Sequence, residues 1–116
     1  MWFAGDTGYN QHDFIAIGNY IDTLQKELDV ALIPIGAYAP RGFMKAYHVN
    51  TEEAVRIHHD VRAKLSIGMH WGTFPLTAEK PMDPFHWLNK IRKETGFDNN
   101  SQFDTLAIGE TRLIPR

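Results

Sequence analysis

His70 stands at the carboxyl end of a short apolar run, Ser66-Ile67-Gly68-Met69, and a glycine turn, Trp71-Gly72, follows it. Asp6 occupies the equivalent place at the start of the chain, after Trp2-Phe3-Ala4-Gly5 and before Thr7-Gly8. His48 closes a long aperiodic segment that opens at Gly36. A carboxylate and one or two imidazoles brought to one rim form a ligand set that zinc accepts, with bonds of about 2.0 to 2.2 Å. An ion held in this way lowers the pKa of a bound water to roughly 7, which opens hydrolysis at neutral pH. The same residues could instead act without metal, as a general base oriented by a carboxylate.

The other histidines offer less. His58 and His59 are adjacent on an expected helix and point about 100° apart, so they cannot clamp one ion from a single face. His58 reads as a hydrogen-bonded core residue, and His59 and His86 as surface residues. His12 and Asp13 sit at a helix entry, where a carboxylate suits the positive end of the helix dipole. The chain has no cysteine, which excludes disulfides and thiolate chemistry. The serines show no nucleophile-elbow spacing, and the glycines form no phosphate-binding loop.

Three strands have to carry the candidate residues to that rim. Phe14, Ile17, Ile21, Leu24 and Leu28 recur at steps of three and four, so a helix of about four turns is expected after the Asp6 turn. Val30 to Ile35 then reads as a strand buried on both faces. Pro34 cannot donate to a ladder, which puts that strand at an edge or bulges it. Gly36 to His48 reads as a loop, and loops of this length inside compact domains are commonly functional. Asn50 and Glu53 form an approximate capping box for a second helix, with Ala54, Ile57, His58, Val61 and Leu65 on its inner face. The third strand is expected over Ser66 to His70. A last helix, with Phe85, Trp87, Leu88 and Ile91 inward, ends near Gly96.

Asp98 to Ser101 reads as a polar surface turn. Thr105 to Ile108 and Thr111 to Ile114 bracket Gly109-Glu110 as a hairpin. The order is therefore β-α-β-α-β-α-β-β, an α/β arrangement. Strands joined through helices are parallel with right-handed crossovers, which sends three carboxyl ends to one rim. Taking the first and third strands as neighbours, Asp6 and His70 would meet there.

At 116 residues the chain is one domain at most. With 43% hydrophobic and 22% charged residues it has an ordinary globular composition, not a disordered one. A formal charge of −2 with mixed signs gives no basic face for nucleic acid, and that partner is discounted. No run approaches the ~20 apolar residues of a membrane span, and the N-terminus lacks the pattern of a signal peptide. Cytoplasmic or peripheral membrane placement is the expectation.

Four segments together resemble a known group. Phe3-Ala4-Gly5-Asp6-Thr7-Gly8-Tyr9, Ile33-Pro34-Ile35-Gly36-Ala37-Tyr38, His48-Val49-Asn50-Thr51-Glu52-Glu53-Ala54 and His70-Trp71-Gly72-Thr73-Phe74 are similar, in order and spacing, to the C-terminal half of the phospholipases D that hydrolyse N-acyl-phosphatidylethanolamines. These belong to the metallo-β-lactamase-like zinc hydrolases. The resemblance implies an α+β sandwich of the αββα type, with residues 1–116 as a single partial domain. It implies a dinuclear zinc site in which Asp6 bridges the two ions, His70 ligates the second, and His48 lies near the substrate. Tyr9, Tyr38 and Trp71 would line the substrate pocket.

The His-x-His-x-Asp-His motif of the same group is absent, and Ala39 and Gly42 replace an expected glutamate and tryptophan. Met1 leads directly into a strand, as if the chain began in mid-fold. The resemblance therefore implies a partial phosphodiesterase, inactive alone, whose partners are the missing N-terminal half and a phospholipid or phosphodiester substrate. Half a sandwich would also bare one sheet face, so a homodimer is open. Two other readings stand beside this one: a bacterial-type lactonase or small phosphodiesterase, and a catalytically silent interaction module.

Overall fold

A computed structural model describes residues 1–97 and 101–114. Four strands, β1 (Trp2–Phe3), β2 (Leu28–Pro34), β3 (Ala63–Met69) and β4 (Gln102–Thr105), form one parallel sheet in the order β1-β2-β3-β4. The connections are α1 (Gln11–Thr23), the short α2 (Arg41–Met44) with α3 (Thr51–Asp60), and α4 (Asp83–Thr95). Steady progression across the sheet with right-handed crossovers leaves the long helices on one face. There α3 packs on β2 and β3, with α1 and α4 against its flanks. Among the described residues, no helix is long and apolar enough to cross a membrane.

Local chemistry sets the helix boundaries. Asn10 caps α1 by accepting from Asp13 N, and Asn50 and Glu53 close a full capping box on α3. The long helices pack on one apolar cluster in which Ile33, Ile57, Val61 and Phe103 are fully buried. Helix α1 approaches α3 so closely that a Cβ on Gly18 would collide with the Asp60 carbonyl oxygen, at 2.4 Å. Leu28, counted on the face of the first helix in sequence, instead opens β2, because the helix stops at Thr23. Leu65 likewise belongs to β3, which begins three residues earlier than Ser66.

Pro34 does not place its strand at an edge. Strand β2 lies between β1 and β3, and Pro34 is its last residue. Leu32 accepts the last rung from Ala4 N at 3.0 Å, so Pro34, two residues on, faces the same side where no strand remains to be paired. The missing N–H is therefore harmless.

The expected C-terminal hairpin is not formed, so the order ends in a single parallel strand. Phe103 decides this: fully buried against the helices, it draws β4 onto β3 at residues 102–105. The turn at Gly109 exists, with φ of +84° and Glu110 N donating to Ala107 O at 3.0 Å. Its flanks do not pair, and Ile108 and Leu113 are over nine-tenths exposed. Arg112 ties this tail to Asp104 at 2.6 Å instead. Of the polar turn expected over 98–101, residues 98–100 lie outside the described residues.

The sheet face away from the helices carries Phe3, Val30, Leu32, Leu65 and Ile67, in register across three strands. Phe3 is exposed, but Val30 and Ile67 are buried, so this face is less bare than expected.

His58 is the core histidine its position suggested. Fully buried, it has Nδ1 2.7 Å from Ser66 Oγ and Nε2 2.5 Å from Ser101 Oγ, which ties α3 to β3 and to the approach to β4. Burial, with the neighbouring His59, lowers its pKa to about 4. Between pH 6.5 and 4 the unfolded chain takes up a proton that the folded one refuses. Stability is therefore full above pH 6.5, and urea unfolding is expected to lose up to about 3 kcal/mol as pH falls toward 4. A His58→Gln variant should lose most of that slope.

Candidate metal centre

Each of the first three strands is followed at the same rim by a residue in left-handed conformation: Gly5 (φ +67°) after β1, Ala37 (φ +65°) after β2 and His70 (φ +61°) after β3. Glycine accepts this freely, whereas alanine and histidine do so at a cost of order 1 kcal/mol or more. Ala37 is held by the Glu79 carboxylate, which accepts from Ala37 N at 2.5 Å, Tyr38 N at 3.1 Å and Ala39 N at 3.0 Å. Burial pushes the Glu79 carboxyl up, but hydrogen bonds from the Thr77 hydroxyl and from backbone N–H groups outweigh it and hold the group below its ordinary value. His70 is held by its strand, whose Met69 carbonyl accepts from Ile35 N at 3.0 Å.

Asp6 and His70 do meet, although their strands are not neighbours. Strand β2 separates them, and a gap of two strand spacings is about 9.6 Å. Their side chains span it, with His70 Nε2 3.4 Å from Asp6 Oδ1. Gly36, just past the end of β2, lets the His70 main chain pack close, since a Cβ there would stand 2.2 Å from the His70 carbonyl oxygen. Two ligands bonded to one tetrahedral ion at about 2.1 Å lie about 3.4 Å apart, so the pair already has the spacing of a shared cation.

His48 arrives by backbone docking. Val49 N donates to Thr7 O at 2.8 Å, and a Cβ on Gly8 would lie 2.5 Å from the Ala46 carbonyl oxygen, so the Asp6 turn and the His48 segment touch main chain to main chain. The His48 and His70 rings stack at 5.2 Å with planes 29° apart. Ligand atoms of Asp6, His48 and His70 all lie within 4.8 Å of one another. His48 Nδ1 is buried without a hydrogen-bond partner among the described residues. Such a group costs about 1 to 3 kcal/mol unless something binds it. An oxygen-nitrogen donor set with a spare buried nitrogen fits a borderline divalent cation such as zinc.

A cavity of about 380 Å³ adjoins His70, with Gly36 and Ala37 on its floor and Trp71, Phe74, Leu76 and Pro84 among its walls. Trp71 donates from Nε1 to Gly68 O at 3.1 Å and stacks on Phe85 at 5.6 Å, so its ring is fixed as a wall. Tyr9 and Tyr38 stand elsewhere. Tyr9 donates to Asp60 Oδ2 at 2.8 Å and stacks on Phe14. Tyr38 packs edge-on against Trp87, and its pKa is raised to about 12 by burial, then by the charges of Glu79 and Asp83. Neither ring is part of this cavity wall.

Two residues at the site had no signal in the sequence. Glu79 lies in an aperiodic stretch 40 to 42 residues from the amides it binds, and Arg41 reaches the His48 carbonyl from the first residue of α2. Only Glu53, the Arg41 partner, was visible, and for its capping role.

Comparison with known proteins finds relatives over most of the chain. The chain is 42% identical over 111 residues to the N-acyl-phosphatidylethanolamine-hydrolyzing phospholipase D 1 of Caenorhabditis elegans, covering 95% of this chain and 30% of that protein. It is 35% identical over 97 residues to the mitochondrial N-acyl-phosphatidylethanolamine-hydrolyzing phospholipase D of Saccharomyces cerevisiae, covering 84% of this chain and 20% of that protein. The chain thus spans less than a third of these relatives' length. Among solved structures, a candidate Zn-dependent hydrolase of the metallo-beta-lactamase superfamily from Thermotoga maritima superposes with a TM-score of 0.52 at 21% identity. That match covers 87% of this chain and 50% of the other, and speaks to the fold. The family model described as Beta-lactamase superfamily domain matches residues 1–71, which hold all of Asp6, His48 and His70. The chain belongs to the metallo-β-lactamase superfamily.

Proposed function

We propose that this chain contributes Asp6, His48 and His70 to a zinc phosphodiesterase site acting on N-acyl-phosphatidylethanolamines. The observation that carries this reading is the 3.4 Å approach of His70 Nε2 to Asp6 Oδ1 across the width of β2. The phospholipase relatives support the substrate class. Asp6 and His70 would hold the ion, with Asp6 the more exposed of the two. A bound divalent cation supplies positive charge that draws electrons from phosphoryl oxygens and acidifies water at neutral pH. His48 presents its imidazole beside the same point and hydrogen-bonds a phosphoryl oxygen as its charge grows. Trp71, Phe74 and Leu76 offer the hydrocarbon part of such a lipid an apolar wall that excludes water.

The chain has no His-x-His-x-Asp-His run, so a dinuclear site needs ligands from a further segment. Hydrolysis of N-acyl-phosphatidylethanolamine is therefore expected to stay at background with the chain alone and to rise when it is joined to a segment bearing that motif. Full-rate hydrolysis by the isolated chain would overturn this division of the ligands. No hydrolysis by the joined protein, with zinc bound, would overturn the substrate class.

A further inference from the structure

We propose that Arg41 is a positioning residue for His48, setting the imidazole beside Asp6 and His70; the inference rests on the reading of His48 as part of the metal site. The guanidinium makes three short contacts. Nη1 donates to the His48 carbonyl at 2.9 Å, and Nη2 donates to Glu53 Oε1 at 2.8 Å and Oε2 at 2.7 Å. Glu53 is itself fixed, since Oε2 accepts from Asn50 N at 3.1 Å while Asn50 Oδ1 accepts from Glu53 N at 2.8 Å. Arg41 thereby joins the start of α2, the His48 main chain and the first turn of α3 in one unit.

His48 needs such support because its ring has little of its own. Nδ1 has no partner among the described residues, and the ring rests on His70 by stacking. Its orientation is set from the backbone, where His48 N donates to Met44 O at 2.8 Å and the carbonyl is taken by Arg41. The pair is sheltered, with side-chain exposure of 31% for Arg41 and 14% for Glu53, which strengthens a charge-assisted contact relative to an open surface pair. A planar fork can serve a carbonyl and a carboxylate together. The compact ammonium of lysine lacks that fork, so Arg41→Lys is not a conservative change here.

The test monitors the ring signals of the six histidines in the ¹⁵N-labelled full chain, with and without zinc, together with zinc affinity by chelator competition. In Arg41→Lys we expect unchanged helix content, an affinity about tenfold weaker, and a zinc-induced shift that persists at His70 and is lost at His48. Unchanged affinity and an unchanged His48 shift in folded Arg41→Lys would overturn the proposal. Should Arg41→Lys fail to fold, Glu53→Gln keeps the capping geometry and weakens the fork, and the same changes are expected at smaller size. Their absence would be equally contrary. If the wild-type chain binds no zinc, the metal-site reading fails, whereas the positioning role stands or falls on whether His48 alone moves in the zinc-free spectra of the variant.

Discussion

Asp6→Asn is expected to remove zinc binding at the Asp6–His70 pair and to lower hydrolysis in the joined protein by about three orders of magnitude or more. The substitution keeps size and shape but replaces an anionic donor with a neutral amide oxygen. It should leave the fold almost untouched. The Asp6 side chain is 63% exposed, and it meets the 28% exposed His70 ring at a long 3.4 Å. Exposed pairs of this kind contribute about 0 to 1 kcal/mol, so the unfolding midpoint in urea should barely move. Zinc titration by calorimetry and urea unfolding on the same sample separate the two effects. A variant with normal stability and normal zinc affinity would remove Asp6 from the site.

The second large effect is expected from Gly36→Ala, where fold and site share one atom's worth of space. The added methyl would stand 2.2 Å from the His70 carbonyl oxygen and 3.3 Å from both the His70 carbonyl carbon and Trp71 Cα. All three are backbone atoms, so no side-chain rotation relieves the clash. Overpacking of this kind costs about 1 to 3 kcal/mol, and the rigid neighbours put this case at the upper end. A fall in Tm of roughly 10 °C is expected. The displaced His70 should also weaken zinc binding, since shifts near 1 Å at such sites cost about a hundredfold in function. Gly42→Ala is the matched control, because nothing lies within 4 Å of its added methyl, and both measurements should stay at wild-type values.

Much of this was legible in the sequence because it depends on local pattern. The helix faces, the capping box at Asn50 and Glu53, the turn glycines and the placing of Asp6 and His70 after apolar runs all come from spacing and residue type. The parallel rule then sends those residues to one rim. What was not legible depends on contacts between distant residues. That β2 lies between the strands of Asp6 and His70, with Gly36 packed against the His70 main chain, depends on strand order. The tail suggests a hairpin in sequence because Ile108 and Leu113 are apolar yet exposed, while the anchor, Phe103, is an isolated aromatic beside a polar run. Only motif position points Tyr9 and Tyr38 to a pocket. Hydrogen bonding to Asp60 and packing on Trp87 give each ring another place.

X-ray absorption at the zinc edge, on the zinc-loaded chain and on its Asp6→Asn and His70→Ala variants, reports whether Asp6 and His70 share one ion. Nitrogen and oxygen neighbours are expected at about 2.0 to 2.2 Å, with the imidazole signature reduced in His70→Ala and bound zinc lost or greatly reduced in Asp6→Asn. A zinc environment identical in all three proteins would mean that the ion sits at other histidines, and this rim would not be the metal centre.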